Sequence, residues 1–236
     1  MNTKSCRIGT IPALVWGEPS EHLILAVHGN MSHKNDTVIR LLAQAAGESG
    51  YQVLSFDLPE HGERKSDPTP CKARECAGEL EQVLRYAGAR WEHISLFGCS
   101  LGAYFSLLAF REERFEQGLF LSPVVDMERL IQNMMAWSNV TPAQLREQGE
   151  IMSCVGQMLY WDYYCYVREH PVDRWDTPTC ILYGERDNLS EREAVESFAA
   201  KFGASLEVVP GGEHFFHTEE QLEAYRLWLK RTLKKI

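Results

Sequence analysis

The sequence predicts an α/β protein in which helices cover both faces of a mostly parallel β-sheet. Short apolar runs alternate with segments of helical periodicity along most of the chain. The apolar runs are continuous rather than alternating, which is typical of strands that are buried on both faces of a parallel sheet. Such sheets bind their ligands at the carboxyl ends of the strands. We therefore expect the chemistry of this chain at that edge.

Length and composition narrow the class of protein. The chain has 236 residues, 44% hydrophobic and 24% charged, which suits a single globular domain spanning 1–236. A formal net charge of −9 argues against binding to nucleic acid, whose phosphates carry the same sign. No apolar run approaches the roughly 20 residues of a membrane span, and no signal peptide is recognisable.

Cysteine usage predicts the compartment. The seven cysteines form an odd set without a CxxC pair, so neither a disulfide framework nor a zinc site is expected. These features together predict a cytoplasmic protein without a membrane span and without a bound metal.

The elements are assigned in chain order from their periodicity. Apolar runs predict strands at 23–27, 52–56, 94–97, 118–121, 179–183 and 206–209. Helical spacing predicts helices at 38–46, 71–86 and 103–110, the second of them opened by Thr69 and Pro70. Further helix starts are expected at Thr141-Pro142, at Ser190 with Glu193, and at Thr218 with Gln221, which match capping patterns.

The segment 126–176 interrupts the alternation of strands and helices. It is expected to be mainly helical and to form an insertion over the top edge of the sheet, since it lies between two predicted strands. It is rich in aromatic residues, including Trp137 and Trp161. These aromatics either form the core of the insertion or, as a lid, line an apolar substrate pocket.

The candidate nucleophile is Ser100. It lies in Gly98-Cys99-Ser100-Leu101-Gly102, a G-x-S-x-G pattern that follows a predicted strand and opens a predicted helix. The turn between them is so sharp that the residues two before and two after the serine must lack bulk. Cys99 is the alternative nucleophile, although the residue before the serine in such a turn usually packs elsewhere.

A serine hydroxyl needs an imidazole to take its proton, and a carboxylate to orient that imidazole. His214, in the loop after the last predicted strand, is favoured over His217. Asp187, after the strand 179–183, is favoured as the acid over Glu185 and Asp126. Asp187 could instead serve an Asx turn, because Asn188 and Ser190 follow it.

An oxyanion formed at a substrate carbonyl needs preorganised donors. The backbone N–H groups of Leu101 and Asn30 are expected to supply them. Met31 is the alternative to Asn30 and also a candidate for substrate contact. His28, in the same loop, is expected to be structural.

These residues and their order resemble the α/β-hydrolase superfamily, and more narrowly its small cytoplasmic serine esterases and aminopeptidase-like members. The resemblance covers the chain from about residue 10 to its end, and Pro59 and Glu60 depart from it where a glycine is often found. It implies the α/β-hydrolase fold with about eight strands, a helical lid between the sixth and seventh, and no cofactor. The matching segments are 28–30, 57–62, 98–102, 184–187 and 212–214.

The resemblance and the serine together predict a serine hydrolase acting on a small-to-medium carboxylic ester. Ser100 argues against dehalogenase-like members, which use aspartate, and dienelactone-hydrolase-like members, which use cysteine. The substrate is expected to be a small molecule with an acyl group. A thioesterase or an aminopeptidase-like amide hydrolase stays open, as does a non-catalytic ligand-binding protein. For the aminopeptidase, Glu147, Glu150 or Asp162 could hold a substrate amine.

Overall fold

The structure is a computed structural model that describes residues 1–236, with eight helices and ten strands. The strands are β1 (Thr3–Ile8), β2 (Ile11–Trp16), β3 (His22–Val27), β4 (Gln52–Phe56), β5 (His93–Cys99), β6 (Gly118–Leu121), β7 (Glu150–Met152), β8 (Met158–Tyr160), β9 (Thr179–Gly184) and β10 (Ser205–Val209). The helices are α1 (Thr37–Glu48), α2 (Ala73–Gly88), α3 (Leu101–Ala109), α4 (Met127–Trp137), α5 (Pro142–Gln148), α6 (Trp161–Glu169), α7 (Arg192–Phe202) and α8 (Glu219–Thr232).

Eight of the strands form one sheet in the order β1-β2-β4-β3-β5-β6-β9-β10. All neighbours from β4 to β10 pair in parallel, whereas β2 pairs antiparallel with both β1 and β4. The prediction of a mostly parallel sheet within an α/β-hydrolase fold is confirmed. The carboxyl ends of the parallel strands therefore meet along one edge, where β3, β5, β9 and β10 each run into a candidate site loop.

Burial on both faces of the sheet explains the continuous apolar runs. Along β3, Leu23, Leu25 and Val27 face a core of 42 buried residues, which includes side chains of α2 and α3. Ile24 and Ala26 face a second core of 21 residues, on the side of α1 and α8. Since successive side chains point to opposite faces of a sheet, every position of a central strand must be apolar. No helix has the length and apolar character that crossing a membrane requires.

The antiparallel edge of the sheet was not predicted. The side chains of β1 are mostly exposed and polar, so this strand has no apolar run to identify it. Strand β2 contains Pro12, which argues against a strand in sequence analysis. Only the pairing of β1 with β2, and of β2 with β4, makes these residues strands.

The structure confirms two of the four predicted helix starts and contradicts the other two. Thr141 and Thr218 both form capping boxes, as expected. The expected start at Thr69-Pro70 is wrong, because α2 begins at Ala73. There the Thr69 N–H donates to Asp67 (3.0 Å), and this turn keeps the segment out of the helix. The start at Ser190 is also wrong: α7 begins at Arg192, and the Ser190 hydroxyl has no hydrogen-bond partner.

The segment 126–176 lies between β6 and β9, which are the sixth and seventh strands of the main sheet in chain order. Its helices α4, α5 and α6 agree with the expectation. It also contains the antiparallel hairpin β7–β8, which was not predicted. Three-residue strands are too short for a periodicity to be visible in the sequence. Within the segment, Trp175 packs on Phe120 of β6, so at least this aromatic belongs to the core.

Asp57 anchors the loop that follows β4. Its carboxylate is fully buried and accepts from the Lys34 ammonium (2.5 Å), the Lys34 N–H (2.9 Å) and the Glu63 N–H (3.0 Å). Burial by itself raises the pKa of Asp57, but these bonds outweigh burial and hold the pKa below its usual value of 3.8. The loop after β3, which carries Lys34, is thus tied to the loop after β4. Glu60, which lies in this loop where the resemblance would favour glycine, adopts a left-handed φ of 62°.

Replacing Asp57 with asparagine should lower the free energy of unfolding at pH 7 by about 3 kcal/mol, because the Lys34 ammonium loses its buried counter-charge. A carboxylate whose pKa is lowered by folding stabilises the protein above its unfolded pKa and ceases to do so as pH falls through the folded pKa. The wild type should therefore lose stability below about pH 4 more steeply than the Asp57→Asn variant. Urea unfolding of both proteins between pH 7 and pH 3 tests this, and parallel pH profiles would contradict it.

Candidate active site

Ser100 is the single residue between β5 and α3. Its backbone has φ 49° and ψ −115°, a conformation that residues with side chains rarely adopt and that costs about 1–3 kcal/mol. The close contacts around the turn explain both glycines of the motif. A Cβ on Gly102 would lie 2.4 Å from the His28 carbonyl oxygen, and a Cβ on Gly98 would lie 2.7 Å from the Ala103 Cα.

The structure brings Ser100, His214 and Asp187 together in one hydrogen-bonded chain. Ser100 Oγ lies 2.7 Å from His214 Nε2, and His214 Nδ1 lies 2.7 Å from Asp187 Oδ2. The Asp187 side chain is fully buried, whereas 16% of the His214 side chain is exposed. With the Nδ1 proton donated to Asp187, Nε2 is free to accept the Ser100 hydroxyl proton. This is the arrangement that activates a serine as a nucleophile.

Asp187 combines the two roles that were considered for it. Its Oδ1 accepts from the N–H groups of Leu189 and Ser190, both at 2.9 Å, which closes the expected turn. Its Oδ2 stays free to hold His214. The turn therefore fixes the carboxylate that orients the imidazole.

The loops after β9 and β10 are in direct backbone contact. The Arg186 N–H donates to the Gly212 carbonyl oxygen at 2.7 Å, and the Glu185 N–H donates to the Val209 carbonyl oxygen at 3.0 Å. A Cβ on Gly184 would come within 2.6 Å of the Gly212 carbonyl group. The contact sets the distance between Asp187 and His214, which lie in these loops.

The alternative residues point elsewhere. Glu185 accepts from the Gly211 N–H, and the exposed His217 bonds the Phe215 carbonyl oxygen. Asp126 caps α4 by accepting from the Arg129 N–H. Burial raises the pKa of Cys99 to about 12, so its thiol stays protonated and is a poor nucleophile at neutral pH.

The loop after β3 approaches Ser100 and carries Asn30, one of the two expected oxyanion donors. A Cβ on Gly29 would lie only 3.2 Å from the Ser100 Cβ. Leu101 is the first residue of α3, where N–H groups have no partner within the helix. The Met31 N–H already donates to His61 Nε2 at 3.1 Å, whereas the Asn30 N–H has no partner within the protein. This difference favours Asn30 over Met31.

His28 has the structural surroundings that were expected. Its Nδ1 bonds the Gly29 carbonyl oxygen at 2.7 Å, and its Nε2 accepts from the Leu58 N–H at 3.1 Å. Burial lowers the pKa of His28 to about 4, so the ring is neutral at pH 7. The neutral ring joins the loops after β3 and β4.

Two contacts of the Asn30 loop were missed by sequence reasoning. His61 holds Met31, as described above, and Gln157 of the insertion accepts from the Asn30 side-chain amide at 3.1 Å. Gln157 lies in the turn of the β7–β8 hairpin, so the insertion reaches the loop beside Ser100. The His61 ring could have been suspected from the segment 57–62, but nothing in the sequence indicates that Gln157 contacts Asn30.

The three residues expected to contact the substrate, Met31, Trp137 and Trp161, lie in different surroundings. The side chain of Met31 is 93% exposed beside Asn30, and that of Trp137 is 44% exposed at the end of α4. Trp161 packs partly on the core and against Tyr164. No hydrogen bond or ring contact joins the two tryptophans to Ser100 or His214. Phe215, next to His214, is 63% exposed and was not anticipated.

A cleft of about 310 Å³ lies beside the candidate site, between the insertion and α7. Its walls include Val125, Val167 and Phe198, together with Tyr104, which lies one helical turn after Ser100. Neither Ser100 nor His214 lines this cleft. The expected apolar substrate pocket beside the catalytic candidates therefore stays a prediction.

A group with metal-ligand chemistry lies at the opposite end of the sheet. The ligand atoms of His22, His93 and Glu116 are within 4.8 Å of one another. The two imidazole rings are stacked almost parallel, with centroids 4.3 Å apart, so their nitrogen lone pairs do not converge on one point. His93 Nδ1 is already 2.6 Å from Glu116. The arrangement is therefore not a preformed metal site.

Comparison with known proteins agrees with this geometry. The family model described as "Alpha/beta hydrolase family" matches residues 24–226. No curated protein is significantly similar to the chain in sequence.

Several solved structures share the fold. Est1E from Butyrivibrio proteoclasticus, with ferulic acid bound, has a TM-score of 0.79 at 19% identity, covering 97% of this chain and 96% of Est1E. Mouse alpha/beta hydrolase domain-containing protein 10 has a TM-score of 0.77 at 14% identity, covering 98% of both chains. An esterase from Pyrococcus furiosus has a TM-score of 0.70 at 18% identity, covering 98% of this chain and 90% of the esterase.

The close approach at Gly102 leads to a stability prediction. Gly102→Ala should lower the free energy of unfolding by about 1–3 kcal/mol, because the new methyl group overlaps the His28 carbonyl oxygen. Gly78→Ala in α2 is the matched control: its Cβ would meet open space, so the substitution should stabilise the protein by about 0.5–1 kcal/mol. Urea unfolding of the two variants measures both effects. Equal stability of the two variants would contradict the steric explanation of the motif.

Proposed function

The chain belongs to the alpha/beta hydrolase family, and from this premise we propose that it is a serine hydrolase that cleaves a small-to-medium carboxylic ester. Ser100 is the proposed nucleophile, His214 the general base and acid, and Asp187 the residue that orients His214. The observation that carries the proposal is the continuous hydrogen-bonded chain between these three side chains, with both links at 2.7 Å.

In the first half of the proposed reaction, His214 Nε2 takes the Ser100 proton while Oγ attacks the ester carbonyl carbon. The carbonyl oxygen becomes an oxyanion, which the N–H groups of Leu101 and Asn30 stabilise. Such donors typically contribute a hundredfold to a thousandfold in turnover each. Collapse of the intermediate expels the alcohol, which receives the proton from His214, and leaves an acyl group on Ser100.

In the second half, water replaces the alcohol. His214 takes a proton from the water, and the resulting hydroxide attacks the acyl carbon. The buried Asp187 carboxylate stabilises the imidazolium that forms in each half. All steps use side chains and backbone amides of this chain, so the proposal includes no metal or cofactor.

An apolar group in the substrate is proposed from the side chains around the catalytic candidates. Met31 adjoins the Asn30 amide, and Phe215 adjoins His214; both are exposed apolar side chains. We propose that residues 126–176 act as a lid and that Trp137 and Trp161 contribute to substrate binding. The hydrogen bond between Gln157 and Asn30 gives this lid a direct contact with the proposed oxyanion loop.

An ester is preferred over an amide for two reasons. Two of the structures that resemble this chain are esterases by their descriptions, at 18% identity or less. Among the acids considered for holding a substrate amine, Asp162 is already paired with Lys72 at 2.8 Å, and Glu147 and Glu150 are exposed to solvent. All three carboxylates are exposed, so none of them is held in a pocket ready for an amine.

We also propose that the chain is a single domain that acts in the cytoplasm. All seven cysteines are free thiols, which suits a reducing compartment. The net charge of −9 supports a small-molecule substrate rather than a nucleic acid.

The nucleophile is tested by intact mass after treatment with a fluorophosphonate. The wild type should gain one adduct and Ser100→Ala none. His214→Ala should react at least about a hundredfold more slowly, because the serine loses its base. His217→Ala is the matched control and should react like the wild type, since the His217 ring bonds the Phe215 carbonyl oxygen and neither Ser100 nor Asp187. Absence of an adduct on the wild type would favour a non-catalytic ligand-binding protein.

The bond type is tested with three substrates that share a short acyl group. The kcat/KM for the aryl ester should exceed that for an aminoacyl anilide by about a hundredfold or more, because none of the three lid carboxylates considered is held in a pocket for the amine. A thioester of the same acid completes the comparison, with Ser100→Ala as the control for background hydrolysis. A preference for the anilide or the thioester would replace the ester assignment.

A further inference from the structure

Two cysteines lie side by side at the start of α2. Cys71 precedes the helix by two residues, and Cys76 lies in its first turns. The two Sγ atoms are 3.8 Å apart. Cys76 is fully buried, whereas Cys71 is partly exposed.

The surroundings of the pair favour a thiolate on Cys71. The hydrogen bond between the two thiols lowers the pKa of Cys71 to about 6 against the opposing effect of burial, and His61 lowers it further. Burial raises the pKa of Cys76, so this thiol keeps its proton. Lys72, at the N-cap of α2, makes no side-chain cap, which leaves the first helical N–H groups without a side-chain acceptor.

We propose that Cys71 and Cys76 form a peroxide-reactive dithiol, with Cys71 as the attacking thiolate and Cys76 as the resolving thiol. Cys71 Sγ attacks one oxygen of a hydroperoxide, the O–O bond breaks, and the alcohol or water leaves with a proton. Cys71 is then a sulfenic acid. Cys76 Sγ attacks that sulfur and displaces water, so the dithiol loses two hydrogens and becomes a disulfide. The hydroperoxide is the oxidant and is reduced in the first step.

The partners of each cysteine distinguish this dithiol from two apolar side chains in contact. Packing of residues at these two positions is common at helix starts, where it fixes the entry of the chain into the helix. Packing alone requires neither a charged sulfur nor access to solvent. Here the more exposed cysteine carries the charge and the buried one carries the proton, which is the order that attack and resolution require.

A link runs from the dithiol to the candidate active site. The Cys71 N–H donates to the Glu60 carboxylate at 2.9 Å, and the neighbouring His61 holds the Met31 N–H beside Asn30. A disulfide requires the sulfurs to close to about 2 Å, which pulls Cys71 towards α2 and away from Glu60. Oxidation is therefore expected to disturb the Asn30 loop. This consequence rests on the proposed hydrolase function, whereas formation of the disulfide does not.

Trypsin digestion tests the disulfide directly, because Lys72 and Arg74 lie between the two cysteines. After hydrogen peroxide and alkylation of free thiols, the peptides 66–72 and 75–85 should remain joined, and dithiothreitol should separate them. Cys154→Ser is the matched control, since Cys154 is the fully exposed cysteine; this variant should form the same linked pair. Two separate alkylated peptides after peroxide treatment would overturn the proposal.

The order of reaction is tested with dimedone, which traps sulfenic acids. Cys76→Ser, whose hydroxyl keeps a hydrogen-bond donor beside Cys71, should accumulate a dimedone adduct on Cys71, and Cys71→Ser should show none on Cys76. Reaction of Cys76 first would overturn the assignment of the attacking thiol. In the second arm, peroxide should lower ester turnover severalfold in the wild type, reversibly with dithiothreitol, but not in Cys76→Ser. A linked peptide pair without loss of turnover would disprove the link to the site and leave the dithiol established.

Discussion

The turn of one residue between β5 and α3 is the constraint on which the candidate site depends. It holds Ser100 at a positive φ, and it brings α3 so close to β3 that Gly102 faces the His28 carbonyl oxygen without room for a methyl group. The strain at Ser100 persists because β5 is paired with β3 over residues 93–98 and with β6 over residues 96–99. The turn therefore places the hydroxyl at the edge of the sheet, and the packing of the buried strands offsets the free energy of the strained backbone.

The other parts of the site are arranged around this turn by contacts between loops. Asp187 is fixed by its own turn, and that turn is bonded to the loop of His214 through backbone groups. On the other side, His28, His61 and the pair of Lys34 with Asp57 connect the loops after β3 and β4. These loops are far apart in sequence but adjacent in space, since parallel strands bring their carboxyl ends to one edge.

The insertion contacts the segments around the candidate site at two places. Its hairpin contacts the Asn30 loop through Gln157, and Lys72 before α2 pairs with Asp162 of α6. The same stretch before α2 carries Cys71, whose backbone is bonded to Glu60. The stretch 60–72 therefore includes Cys71 of the dithiol, and it contacts both the insertion and the Asn30 loop.

The sequence by itself determined the parallel strands and most of the helices, and it singled out Ser100, His214 and Asp187, which the structure joins in one hydrogen-bonded chain. Continuous apolar runs, helical spacing and a glycine-flanked serine are local patterns, and each follows from the backbone geometry of one element. Tertiary structure decided the rest. Strands β1 and β2 form only because they pair with each other and with the sheet. Thr69 and Ser190 do not cap helices, because each lies in a turn closed by an aspartate. His61 accepts the Met31 N–H and leaves the Asn30 N–H without a partner. The proximity of Cys71 to Cys76, and of Gln157 to Asn30, likewise depends on how elements pack, which the order of residues along the chain does not specify.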